Sequence, residues 1–188
     1  MRNKYLLVLC IFLILGFTGC SKSNTDIKQY LNSGNIIDTP AKEFMPSIDN
    51  LPKSKGISYN YNSNSKIFFK SETITLVVQY DGETYEKEKE RLTKAYNFLE
   101  EKAASDPEEI RYYVPENEFS ISNFDFKVAD DKDNYKADYP KSFGMVGTSD
   151  KKKSIAYLYF YDSDLDYIDD DTEDPMASFV KEYFKYDF

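Results

Sequence analysis

The chain contains no histidine, and this limits what its side chains can do. Ser-His-Asp and Cys-His nucleophile systems, HExxH zinc sites and other imidazole-ligated metals are excluded. There are seven glycines, none of them arranged as a P-loop or a dinucleotide-binding loop. Carboxylate, Ser/Lys and tyrosine chemistry are what the composition leaves. The Ser-x-x-Lys spacing of penicillin-binding enzymes occurs at Ser63/Lys66, Ser149/Lys152 and Ser178/Lys181. With 17 Ser and 21 Lys, about two such spacings arise by chance, and the companion SDN and KTG elements are absent.

Carboxylates concentrate in one place. Residues 162–174 hold eight acids and no base. Counted from Asp162, acids fall at positions 1, 3, 5, 9 and 12 of an EF-hand loop, which makes Asp162, Asp164, Asp166, Asp170 and Glu173 a candidate Ca²⁺ set. Tyr167 stands where such a loop turns on glycine, Asp169 stands where an apolar residue packs, and a strand precedes the run in place of a helix. The alternatives are a looser Ca²⁺ site and a solvated acidic loop whose last acids favour the next helix N-terminus. A glycosidase-like pair of carboxylates needs a fixed separation, and no pair is singled out by spacing. Tyr157, Tyr159 and Tyr161 alternate as groove-lining rings or as cross-strand pairs.

The N-terminus has a different kind of chemistry. Arg2 and Lys4 precede an apolar run from Leu6 to Phe17, broken only by Gly16, and Thr18 and Gly19 lead into Cys20. This is the three-part layout of a secretory signal. The run is shorter than the ~20 apolar residues a spanning helix needs. The segment Phe17-Thr18-Gly19-Cys20 resembles the lipobox of bacterial lipoproteins, with Phe17 where that family most often has Leu. The resemblance implies a diacylglyceryl group on the Cys20 thiol, cleavage of residues 1–19, and a protein held on the extracytoplasmic face of the cell membrane. It covers residues 1–20 and implies processing, not a fold. Two acyl chains suffice for stable anchoring where one is marginal. Cys10 lies in the part to be removed, so the processed chain has no second cysteine and no internal disulfide.

The formal charge is -9. An acidic chain does not suit nucleic acid, nor a domain lying flat on an anionic membrane. With 21 Lys, three Arg and many Asn, Ile and Tyr, and with the lipobox, composition leans toward a Gram-positive source of the Firmicutes type.

These groups must be positioned by a single domain over 27–188, behind a polar tether at 20–26. A brief helix is expected over 26–31. Residues 38–56 contain Pro40, Pro46, Pro52 and Gly56, which predicts an ordered wrapping segment pinned by Phe44, Met45, Ile48 and Leu51. Ile57, Tyr59 and Tyr61 alternate as a half-buried strand, with a turn at 62–65 and strands at 67–69 and 73–80. Residues 83–104 read as one long helix with a stripe of Tyr85, Leu92, Tyr96, Leu99 and Ala103, and with Glu83–Lys87 and Glu90–Lys94 pairs on its wet face. Further strands are expected at 111–114 and 119–129, the second with its apolar face switching midway. A hairpin of 143–148 with 154–162 follows, its tip at Lys151–Lys153. The run IAYLYFY is apolar on both faces and suits a central strand. A last helix over 175–186 starts from Asp174 and Pro175, with Met176, Phe179, Val180, Tyr183 and Phe184 on one stripe. The class is α+β: an antiparallel sheet of five to seven strands with a long helix across one face. Cystatin-like and ferredoxin-like layouts both fit that order. Function is expected to be that of a non-enzymatic envelope module binding a protein or glycan partner. A carboxylate-based hydrolase and a Ca²⁺-dependent adhesion module are the alternatives.

Overall fold

The computed structural model describes residues 20–31, 39–66, 69–106, 111–130, 141–165, 168–169 and 171–188. The class is α+β. Seven strands form one antiparallel sheet: β1 (Cys20–Asn24), β2 (Gly56–Lys66), β3 (Phe69–Gln79), β6 (Glu118–Ile121), β7 (Phe124–Val128), β8 (Lys141–Ser149) and β9 (Ser154–Asp162). Their order is β1-β2-β3-β9-β8-β7-β6. Two meanders therefore meet at the β3–β9 pair. Every described pairing is antiparallel, and the order of two meanders, with consecutive strands adjacent, differs from the ferredoxin-like layout, whose β-α-β strands are split by an inserted strand. A separate hairpin is made by β4 (Ala103–Asp106) and β5 (Arg111–Val114).

Helices cover both faces. The six-residue α1 (Thr39–Phe44) and α2 (Gly82–Ala95) lie on one side, and α3 (Pro175–Phe184) on the other. Among the described residues no helix is long and apolar enough to cross a membrane. The central strand is β9, as IAYLYFY predicts. Ile155, Tyr157 and Tyr159 enter the core under α2, and Ala156, Leu158 and Phe160 enter the core under α3. On β2, Ile57, Tyr59 and Tyr61 share the α2 side as their alternation requires.

Several expectations shift. The expected long helix over 83–104 stops at Ala95. Its start is well specified: Asp81 Oδ1 accepts the Thr84 N–H at 2.9 Å, and the Glu83–Lys87 and Glu90–Lys94 pairs each close at 2.7 Å. Its end is decided by distant backbone. Phe98 bridges Ala129, the Leu99 N–H donates to the Val128 carbonyl at 3.0 Å, and the Asp130 N–H donates to the Asn97 carbonyl at 2.8 Å. Tyr96 still donates to the Leu92 carbonyl at 3.0 Å, and these bonds replace the helical ones that Asn97–Leu99 would make. Leu99 and Ala103, placed on the α2 stripe by periodicity, pack instead against the other core.

The turn expected at 62–65 is not there. β2 runs unbroken to Lys66, with β1 on one side and β3 on the other. The polar residues of this stretch have tertiary partners: the Asn60 and Asn62 amides both donate to the Phe184 carbonyl at the end of α3, at 3.0 and 2.6 Å. The face switch within 119–129 is a tight turn at Ser122-Asn123 between β6 and β7, with Ser122 at φ 57°. The terminal helix ends at Phe184, with Lys185 left-handed, short of residue 186. Asp174 occupies the cap position, but it is the Glu116 carboxylate that accepts the Met176 N–H, at 3.0 Å. The brief helix expected at 26–31 is a 3-10 turn over Ile27–Gln29. The wrapping segment matches its reading: Met45 is buried, and Phe44 and Leu51 pack on the core under α2.

Candidate functional site

The lipobox residues Phe17, Thr18 and Gly19 lie outside the described residues. Cys20 lies inside them, as the first residue of β1. The segment 20–24, read from sequence as a tether, is a sheet strand. Its register pairs Cys20 with Ser65, Ser21 with Asn64 and Lys22 with Ser63, and the Ser23 hydroxyl donates to the Asn60 side-chain carbonyl at 3.3 Å. Cys20 therefore sits at one end of the sheet's first edge.

The acidic run begins at the same end. Asp162 closes β9, between Ser71 of β3 and Lys141 of β8. Burial pushes its carboxyl above the usual carboxylate range. Its Oδ1 accepts the Asp164 N–H at 2.8 Å, and Asp169 accepts the Asp171 N–H in the same way at 3.1 Å. Asp166 and Asp170 lie outside the described residues, and Glu173 is exposed. Among the described residues no three Cys, Asp or Glu side chains converge as a metal site. Asp162 and Asp164 instead border an open concavity of about 600 Å³ between the β2–β3 end and α3, shared with Phe69, Lys70, Tyr183 and Lys185.

A second concavity, of about 360 Å³, lies between α2 and the strands β6, β7 and β8. Sequence reading missed it because its walls, from α2 and from strands β6 to β8, meet only in the folded chain. Lys89, Leu92 and Thr93 of α2 and Phe98 just past its end face residues of β6, β7 and β8 across the concavity. Leu92, Phe98 and Val146 supply an apolar floor. Its rim is polar and internally paired: Lys127 Nζ lies 2.6 Å from Glu118, and the Ser120 hydroxyl donates to Asp125 at 2.7 Å. At the far rim Lys89 Nζ lies 2.6 Å from Asp150, which also accepts the Tyr85 hydroxyl at 2.7 Å. The hydrogen bonds from Lys89 and then Tyr85 hold the Asp150 carboxyl below its ordinary range. An apolar floor inside a ring of fixed charges can hold a ligand with an apolar body and polar ends. The volume is at the lower end of the range for small-molecule sites.

Of the three tyrosines singled out in β9, Tyr157 and Tyr159 are buried and Tyr161 is half-buried; all three rings belong to the packed core under α2, not to a groove. Lys151–Lys153 forms the β8–β9 turn, where Lys153 pairs with Glu86 at 2.9 Å. No family model matches the chain, and neither a curated protein nor a solved structure matches it.

Proposed function

We propose that this chain is a lipoprotein held through Cys20 on the extracytoplasmic face of the cell membrane, and that it is a non-enzymatic module binding a protein or glycan of the envelope through the α2–β7 cleft. The lipobox supports the anchor. The observation that carries the binding reading is the cleft itself: Leu92, Phe98 and Val146 below, with the Lys127–Glu118 and Ser120–Asp125 pairs at the rim. Acids committed to such pairs are fixed recognition groups rather than a free general acid and base.

Metabolic labelling with palmitate tests the anchor. Label is expected in the membrane-bound wild type and absent from Cys20→Ala, which leaves the membrane fraction or stays unprocessed. A labelled, membrane-bound Cys20→Ala protein sinks the reading. Incubation with soluble wall fragments tests the activity class. A binding module leaves the fragments intact, and their cleavage moves the protein to the hydrolase reading.

A further inference from the structure

Among the described residues Phe69 is the large apolar side chain left exposed, at 51 %. One exposed phenylalanine is ordinary on a protein surface. Its place is not. Lys70 of β3 pairs with Ser65 of β2, and Ser65 pairs with Cys20 of β1. Cys20 and Lys70 thus lie in one row across the sheet, two strand spacings or about 10 Å apart. Phe69 stands one residue beyond that row, opposite Lys66.

We infer that this end of the sheet is a membrane-contacting edge, with Phe69 entering the headgroup–acyl boundary of the bilayer to which Cys20 is attached. The inference rests on the anchor reading and adds an orientation to it. A diacylglyceryl group fixes its own cysteine at the bilayer surface. Because Cys20 is itself a paired strand residue, no slack separates lipid from sheet. Side chains in the same row and beyond it are therefore held at headgroup depth, where an aromatic ring is stabilised and water is partly excluded. Lys22 on β1 is exposed, but Lys70 is paired with Glu72, and Asp162 and Asp164 lie beside Phe69, so the contact rests on the lipid and the ring rather than on charge. With the lipid on Cys20 and the ring of Phe69 at the same end of the sheet, the sheet stands on its β1–β3 end. The β6–β7 turn then points away: Asp125 pairs with Thr148 and Thr148 with Ile155, seven residues along β9 from Asp162, or about 23 Å.

The chain has no tryptophan, so one introduced tryptophan reports its own surroundings. The test uses the full lipidated protein reconstituted into vesicles of equal parts phosphatidylcholine and phosphatidylglycerol, as Phe69→Trp and, separately, as Asn123→Trp in the distant β6–β7 turn. Circular dichroism and the mass of the lipid-modified chain are recorded for both. The expected result is a blue-shifted emission for Phe69→Trp, with most of its intensity lost when the vesicles carry brominated acyl chains, and water-like unquenched emission for Asn123→Trp. Water-like emission from a folded, lipidated Phe69→Trp protein overturns the membrane contact, and so does equal quenching at both positions. A chain lacking the diacylglyceryl mass overturns the anchor reading, and the contact with it, before any fluorescence is read.

Discussion

On the α3 side of the sheet the buried rings are mostly phenylalanines: Phe119, Phe124, Phe126, Phe143, Phe160 and Phe179, sealed by Phe184 and Phe188, with Tyr113 buried among them. On the α2 side they are mostly tyrosines: Tyr59, Tyr61, Tyr80, Tyr85, Tyr157 and Tyr159, with Tyr30 and Tyr96 beside them. Residues 157–160 of β9 alternate between the two. The difference follows what each face must cover. The helix α3 satisfies most of its own backbone, so the phenylalanine side needs only rings in contact, such as Phe160 on Phe179 at 4.8 Å and Phe119 on Phe126 at 5.2 Å. The α2 side is covered partly by segment 39–51, where the short helix α1 and a 3-10 turn leave carbonyls at their ends without helical or ladder partners. There the hydroxyls serve as donors: Tyr30 to the Pro46 carbonyl at 2.8 Å and Tyr96 to the Phe44 carbonyl at 3.0 Å. Buried backbone carbonyls need such partners. The face that carries irregular chain is also the face where a cleft is left open.

The largest effect expected from this contrast is alkaline. Burial pushes Tyr80 up to about 12, helped by Glu88, and pushes Tyr96 up to about 12. Tyr157 and Tyr61 are pushed up too, first by burial. A tyrosine whose folded pKa exceeds its unfolded value near 10 stabilises the fold fully below that value. That stability is lost as pH rises from about 10 through about 12. The domain is therefore expected to unfold in that window, with tyrosinate absorbance rising together with loss of the circular dichroism signal. Gradual ionisation well before unfolding contradicts the tyrosine-face account.

A smaller effect separates the faces by one methyl group. Gly147 and Gly144 are two glycines of β8 with rings laid over them, Phe126 over the first and Phe44 over the second, each so close that an added Cβ overlaps the ring and the ring must shift. Phe126 is 1 % exposed and hemmed in by Phe119, Phe124 and Phe188. Phe44 is half-buried on the wrapping segment and can move outward. Gly147→Ala is expected to cost about 1–3 kcal/mol, the usual cost of overpacking, and Gly144→Ala less than about 1. Equal costs by urea unfolding erase the distinction between a rigid and a yielding face.

How far these features were legible varies with the range of the interactions that decide them. The central strand, the alternation of β2, the start of α2 and the stripe of α3 are set by neighbours in sequence, and the residues announce them. The end of α2 is not announced. Tyr96–Leu99 continue a helical stripe, but Val128 and Ala129 offer them backbone partners about thirty positions later. The polar half of β2 reads as a turn until the Phe184 carbonyl, 122 positions after Asn62, accepts its amide. The cleft was illegible for the same reason, since its walls come from residues 89–98, 118–127 and 146–148, which only the fold brings together. The acidic run shows the opposite case: its spacing resembles an EF-hand loop, yet Asp162 and Asp164 are joined by a turn of their own.

The finest contrast lies within the tyrosine face. The Tyr85 hydroxyl donates to Asp150 at 2.7 Å, whereas the fully buried Tyr157 hydroxyl takes no hydrogen-bond partner among the described residues. Removing a hydroxyl that has a charged partner costs about 1.5–3 kcal/mol when the site is dry, and less here because Asp150 keeps water and Lys89. Removing a buried hydroxyl without a partner removes a desolvation cost and leaves the ring contact with Tyr96 in place. Tyr85→Phe is therefore expected to lower stability by about 1 kcal/mol, and Tyr157→Phe to leave it unchanged or raise it by up to about 1. A double-mutant cycle checks that the two are independent. If Tyr157→Phe destabilises as much as Tyr85→Phe, that hydroxyl has a partner in the native protein, and the α2 face is held by a continuous polar network rather than by separate bonds to the wrapping segment.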